Sequence, residues 1–178
     1  MKRLCPIENN SIHHIYTKSI YHFEIFTCPQ EYQRMQQLIT FYQYDKHSLP
    51  FSRFILQANF NKKGFHLMLQ QTLAGKKTLI NIFAYCLMPT HIHFLLKQSE
   101  PKGIEIFMGR LLNAYTRYFN LRHNRHGPLW EHRFGNKIIT DDQHFSTAKN
   151  YIYNNPVEAG LVNAPQQWQY TYLVNPRG

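Results

Sequence analysis

Acidic residues are scarce in this 178-residue chain: ten Asp and Glu stand against twenty Lys and Arg, a formal charge of +10 at pH 7. Charged residues of both signs reach only 17%, whereas 43% are hydrophobic and 15% aromatic, which excludes a disordered chain. Cysteine is nearly absent. Cys5, Cys28 and Cys86 are odd in number and lack C-x-x-C spacing, which argues against a disulfide scaffold or a Cys-zinc site and for a reducing compartment. No apolar run approaches the ~20 residues that a membrane-spanning helix needs; the best, 79–88, is broken by Asn81. Lys2 and Arg3 are followed by no apolar stretch, so no signal peptide is expected. Repeats, low-complexity tracts and Gly/Ser linkers are missing as well, and the length suits one domain, 1–178.

What is present is positive charge, and it is unevenly placed. The 37 residues 101–137 hold seven basic side chains (Lys102, Arg110, Arg117, Arg122, Arg125, Arg133 and Lys137) against Glu105 and Glu131. The same block contains His123, His126, His132 and Trp130. Arginine grips phosphate through two parallel hydrogen bonds, and aromatic faces stack unpaired bases, so the mixture suits single-stranded nucleic acid. A solvated helix face followed by a loop accounts for the same residues, and the charge alone does not separate the two.

Hydrophobic periodicity supplies the elements. Residues 12–17 read as a strand, and Pro29 opens a helix carrying Tyr32, Met35, Leu38, Ile39 and Tyr42, which Ser48-Leu49-Pro50 should end. Leu67, Leu69 and Leu73 mark a helical insertion around 51–75. Residues 78–88 and 92–98 form a hairpin about Met88-Pro89-Thr90. Ile104, Phe107, Met108, Leu111, Leu112, Tyr115 and Phe119 recur at helical steps. A strand over 134–140 and a last helix follow, the helix capped by Asp141 or Asp142 and ended by Pro156. This order predicts an α+β fold: a ferredoxin-like antiparallel sheet with helices on one face.

Two pairs of residues carry chemistry. His91 and His93 are two apart on a predicted strand, so they share a face and can share a metal ion, while Ile92 points into the core. Tyr151 and Asn155 are four apart on the last helix and also share a face. Tyrosine is a weak nucleophile because a phenol titrates near 10, but a divalent ion that polarises a phosphodiester makes its attack practicable. The Asn155 carbonyl oxygen is a hard donor acceptable to Mg²⁺ or Mn²⁺. Tyr153 competes for the role of nucleophile but is rotated ~200° around the helix, and His144 precedes the Tyr151 face by about two turns.

At these residues the chain resembles a known family. The stretch 86–96, with His91-Ile92-His93, is similar to the His-hydrophobic-His signature of single-tyrosine HUH transposases. Residues 151–162 resemble their catalytic helix and its exit, and 127–134 resemble the segment between. The REP-associated tyrosine transposases are the branch it resembles most, over roughly 80–172. The resemblance implies a ferredoxin-like core that binds single-stranded or hairpin DNA and cuts through a 5′-phosphotyrosine, with release of a 3′-OH and with Mg²⁺ or Mn²⁺ as cofactor. Carried over by position, His91, His93 and Asn155 match the metal ligands and Tyr151 the nucleophile. Thr90 stands where the family often has Asn, and the insertion 51–75 is absent from the shortest relatives. Arg117, Arg122, Arg125, Trp130, Arg133 and Lys137 are the expected DNA contacts. The expected setting is a bacterial cytoplasm, nucleoid-associated and away from any membrane, with the chain a monomer or homodimer. A transposase-derived DNA-binding protein that no longer cuts, and a zinc hydrolase using His91, His93 and a further His, are the competing readings.

Overall fold

The chain is described by a computed structural model covering residues 6–45, 49–60 and 64–174. Cys5 and Ser48, both invoked above, lie outside the described residues. In order, the elements are β1 (Ile12–Lys18), α1 (Pro29–Tyr42), α2 (Phe51–Phe60), α3 (Gly64–Leu73), β2 (Ile80–Met88), β3 (His91–Gln98), α4 (Gly103–Arg122), β4 (Gly135–Ile139), α5 (Asp142–Glu158) and β5 (Thr171–Leu173). The five strands form one antiparallel sheet in the order β4-β1-β3-β2-β5. Its first four strands have the order of a ferredoxin-like fold, as expected, and the three-residue β5 is added at the β2 edge. The insertion is helical, comprising α2 and α3.

Each face of the sheet has its own helices. On one, Ile15, Ile92, Phe94 and Leu96 are fully buried beneath α1 and α4 with Met35, Phe107, Met108, Leu111 and Phe119. Fully burying such side chains stabilises by roughly 1.5–3 kcal/mol each. On the other face, Ala84, Cys86, Met88, Leu95 and Ile139 form a smaller apolar patch under Ala148 and Ile152 of α5. The expectation of helices on one face is therefore corrected: α5 lies on the face opposite α1 and α4. Amphipathic spacing tells that a helix has an apolar side but not which side of a sheet receives it.

The helix ends also differ from expectation. The first helix stops at Tyr42, before Pro50. Asp141 does cap α5, its Oδ1 accepting from the His144 N–H at 2.7 Å. Pro156 does not end α5; it sits inside the last turn, buried, and the helix continues to Glu158. A proline near a helix end forfeits one hydrogen bond without forcing a break when the next turn tightens.

Two polar joints lock this scaffold. Glu31, fully buried in the first turn of α1, accepts from Thr27 N at 2.6 Å and Thr27 Oγ1 at 3.0 Å. It also meets Arg122 Nε at 3.4 Å and His123 Nε2 at 2.5 Å, joining the start of α1 to the end of α4. At the β2 edge, Trp168 packs against both apolar clusters and donates from Nε1 to the Leu87 carbonyl at 3.0 Å. Tyr170 then stacks flat on Tyr32 of α1, ring centroids 3.5 Å apart. The segment after α5 thus straps one face of the sheet to the other.

Candidate active site

β1 pairs with β3 in a register that sets Tyr16 beside His93 and Lys18 beside His91. Paired residues share a face, so His14, Tyr16, Lys18, His91 and His93 all project toward α5. Tyr16 can lie across β4 because its neighbour there is Gly135, where a Cβ would meet the Tyr16 ring at 2.5 Å. From α5, residues on successive turns face the same region: His144, Thr147, Tyr151 and Asn155.

Two cavities of about 500 and 540 Å³ share Tyr16, His93 and Tyr151 as walls. The first is completed by His14, Lys137, His144, Thr147 and Ala148. The second adds Lys18, His22, Thr90, His91, Glu131, His132 and Arg133. Tyr151, 41% exposed, has its ring 5.4 Å from that of His93 and 5.8 Å from that of His14. Tyr153, the rival tyrosine, lines neither cavity.

The histidines are bonded in series. His91 Nε2 donates to Asn155 Oδ1 at 3.2 Å, and its Nδ1 is 3.0 Å from the Thr90 hydroxyl. His93 Nδ1 lies 3.0 Å from His14 Nε2, which leaves His93 Nε2 on the open side of the ring. Burial, reinforced by the neighbouring imidazoles of His14 and His91, lowers the His93 pKa to about 3. Burial, with Lys137 and His144 nearby, lowers His14 to about 4. His91 is also shifted down by burial and by His22, against a raising contribution from Asn155. All three rings are therefore neutral at pH 7, the form in which imidazole can ligate a metal.

Among the described residues, no group of three or more His, Cys, Asp or Glu is arranged to hold a metal ion. The candidate set reaches three donors only through an asparagine. One edge of that set suits a divalent ion once it replaces the Nε2 proton: the 3.2 Å between His91 Nε2 and Asn155 Oδ1 is close to the spacing of adjacent ligands around an octahedral ion with bonds near 2.1 Å, about 3 Å. Two imidazoles and one carbonyl oxygen favour Mn²⁺ over Mg²⁺.

The expected DNA contacts divide. Arg133 and Lys137 are exposed and line the cavities. Arg117, Arg122, Arg125 and Trp130 line neither. Arg117 is exposed on α4. Arg122 faces Glu31, and Arg125 bonds Asn120 Oδ1 at 2.8 Å and the Pro128 carbonyl at 3.2 Å. Trp130 donates from Nε1 to Thr116 Oγ1 at 3.0 Å and the Leu112 carbonyl at 3.3 Å, fastening the loop to α4. Sequence reasoning missed His14, Tyr16, Lys18 and His22 as cavity residues. Alternation along β1 puts His14 and Tyr16 on one face, but only the pairing with β3 reveals which face.

The family described as "Transposase IS200 like" matches residues 52–155, more than half of the chain. A Haemophilus influenzae protein described as a REP-associated tyrosine transposase is 31% identical over 98 residues, covering 49% of this chain and 56% of that relative. The match thus spans just over half the relative's length. The fold is similar to a solved structure of a REP-associated tyrosine transposase bound to a REP hairpin, with a TM-score of 0.55, 16% identity, and coverage of 96% of this chain and 81% of that one. Together with the strand order and the H-x-H strand facing a tyrosine helix, these likenesses make the chain a member of the IS200-like transposase family and a homologue of REP-associated tyrosine transposases.

Proposed function

We propose that the chain is a metal-dependent single-stranded DNA endonuclease and strand transferase that acts at hairpin DNA through a 5′-phosphotyrosine intermediate. The observation that carries this reading is the convergence of a strand and a helix 60 residues apart in sequence: His91, His93 and Tyr151 line one cavity, and buried Asn155 meets His91 at 3.2 Å. His91 and His93 offer imidazole nitrogens, and Asn155 its carbonyl oxygen, to Mg²⁺ or Mn²⁺. When bound, such an ion withdraws charge from the scissile phosphate and favours the phenolate.

The chain's own residues do the rest. Tyr151 Oη attacks the phosphorus and loses its proton. The P–O3′ bond breaks, the departing oxygen takes up a proton to become a free 3′-OH, and the 5′ side stays on the tyrosine as a phosphodiester. A 3′-OH attacking that ester regenerates the tyrosine and joins strands. Arg133 and Lys137 supply fixed positive charge along the cavity walls, where phosphates on either side of the scissile bond would lie. The solved hairpin-bound protein of similar fold supports hairpin DNA as the substrate form.

The test is incubation of hairpin-bearing single-stranded DNA with the protein and Mn²⁺, followed by denaturing electrophoresis. A covalent protein–DNA adduct is expected, absent without metal and absent in Tyr151→Phe. An adduct that persists in Tyr151→Phe would overturn the assignment of the nucleophile. Binding without any adduct from the unaltered protein would favour the non-cutting reading.

A further inference from the structure

The turn between β1 and α1 does something that packing does not require. Tyr21 has φ 50° and ψ 29°, and His22 has φ 54°, two consecutive bulky residues in the left-handed region. Such conformations persist only where the surroundings impose them. Here the surroundings do. Ser19 N donates to the Thr90 carbonyl at 2.9 Å and Ile25 N to the Pro89 carbonyl at 2.8 Å, which ties the turn to the hairpin that ends at His91. Ile20 N donates to the Leu129 carbonyl at 3.1 Å, which ties it to the basic loop, and Ser19 Oγ closes the turn on the Phe23 carbonyl at 2.5 Å.

The clamped backbone holds Tyr21 out in water. At 94% exposure it is the most exposed large hydrophobic side chain among the described residues, and its ring adds nothing to either core cluster. A lone exposed aromatic is ordinary. An aromatic held exposed by a strained turn clamped on both sides is not, because a glycine there would relieve the strain and lose no packing. Its neighbour His22 lines the cavity with His91, His93 and Tyr151, and His132 and Arg133 lie in the same wall, with His22 and His132 near the Glu131 carboxylate. Lys18, by contrast, is committed to Glu131 at 2.9 Å.

We propose that Tyr21 is a stacking platform for one unpaired nucleobase of the DNA strand whose phosphate enters the cavity between His22 and Arg133. The inference rests on the function proposed above and adds to it a base-binding subsite beside the scissile position. A phosphate drawn to His22, His132 and Arg133 would bring its adjoining base toward Tyr21, the residue next to His22 in the chain, where stacking is sequence-tolerant. The clamped turn fixes the backbone that carries the ring before DNA arrives, so binding has only the side-chain torsions to order.

The experiment measures binding, not cutting, in the Tyr151→Phe background. A labelled mixed-sequence single-stranded oligodeoxynucleotide is titrated, together with a series carrying one abasic site at each successive position. Tyr21→Ala is expected to weaken binding by about 5- to 100-fold, whereas Tyr21→Phe stays within about twofold. Tyr21→Gly should bind as weakly as the alanine variant yet melt higher than the parent, since glycine accepts positive φ without strain. One abasic position should weaken the parent but leave Tyr21→Ala unchanged. Parent-like binding by Tyr21→Ala and Tyr21→Gly overturns the proposal, as does an abasic penalty that both proteins share at every position, or a parent that binds no single strand. Loss on Tyr21→Ala in a protein that forms no adduct would sustain the platform and overturn only the cutting.

Discussion

The two faces of the sheet use alternate residues of the same strands for different ends. On β3, Ile92, Phe94 and Leu96 are buried against α1 and α4, where only volume and apolarity count. One residue out of step, His91 and His93 look the other way and meet Tyr151 and Asn155 of α5. The first face is paved with aromatic and branched side chains. The second has only a small apolar patch to seat its helix, and it carries three desolvated imidazoles that burial disfavours in their charged form. The larger apolar core belongs to one face and the proposed chemistry to the other, with a single pleat between them.

That division can be broken from either side. The largest effect is expected at the site face: His91→Ala or His93→Ala should lower metal-dependent adduct formation on the order of 10³-fold or more, with the melting temperature moving by only a few degrees. Gel assay and calorimetry on the same preparations check both halves. Next comes the apolar face. Phe94→Ala should cost about 3–5 kcal/mol in denaturant unfolding while the fraction that remains folded cuts at the parental rate; a large loss of activity per folded molecule would show that the faces are coupled.

Acid should then report on the site face over a defined window. With folded-state values of about 3 and 4, His93 and His14 bind protons more readily unfolded than folded. Their contribution to stability is complete above pH 6.5 and is lost as the pH falls toward those values. Glu31 is held low because hydrogen bonds from Thr27 and His123 outweigh the upward push of burial. Hydrogen bonds also depress Glu131, from Lys18, and Asp141, from the His144 N–H. These carboxylates respond only below their ordinary 4.5 and 3.8. Melting temperature should thus decline between pH 6.5 and 4.5, and His14→Phe should flatten the decline. The smallest effects concern the arginines. Arg133→Ala and Lys137→Ala should each reduce the slope of log affinity against log salt by about 0.7, whereas Arg122→Ala and Arg125→Ala should leave that slope near parental and instead lower the melting temperature slightly.

The contrast between those arginines marks where sequence reading stops. That His91 and His93 share one face, and Tyr151 and Asn155 another, was legible because each pair is two or four residues apart and local geometry decides its facing. The first four strands, the major helices and the inserted helices were legible for the same reason, whereas the three-residue β5 was not. His14 was not, since its contact with His93 spans 79 residues and depends on strand order. Nor could charge density at 101–137 reveal that Arg122 is engaged by Glu31 from α1, or that Trp130 turns its indole nitrogen inward to α4. The face on which α5 settles was illegible too, because a short apolar stripe fits either side of a sheet.

The strap at the β2 edge has a mechanical consequence for the tyrosine helix. α5 leaves β4 through the Asp141 cap, and beyond its other end the chain is pinned by Trp168 to Leu87 and by Tyr170 to Tyr32. It behaves as a beam fixed at both supports, not as a cantilever. Bending or sliding it would work against the indole hydrogen bond to the β2 backbone and the ring stack on α1. In the reaction proposed above, a helix supported in this way would leave the larger travel between cutting and rejoining to the DNA.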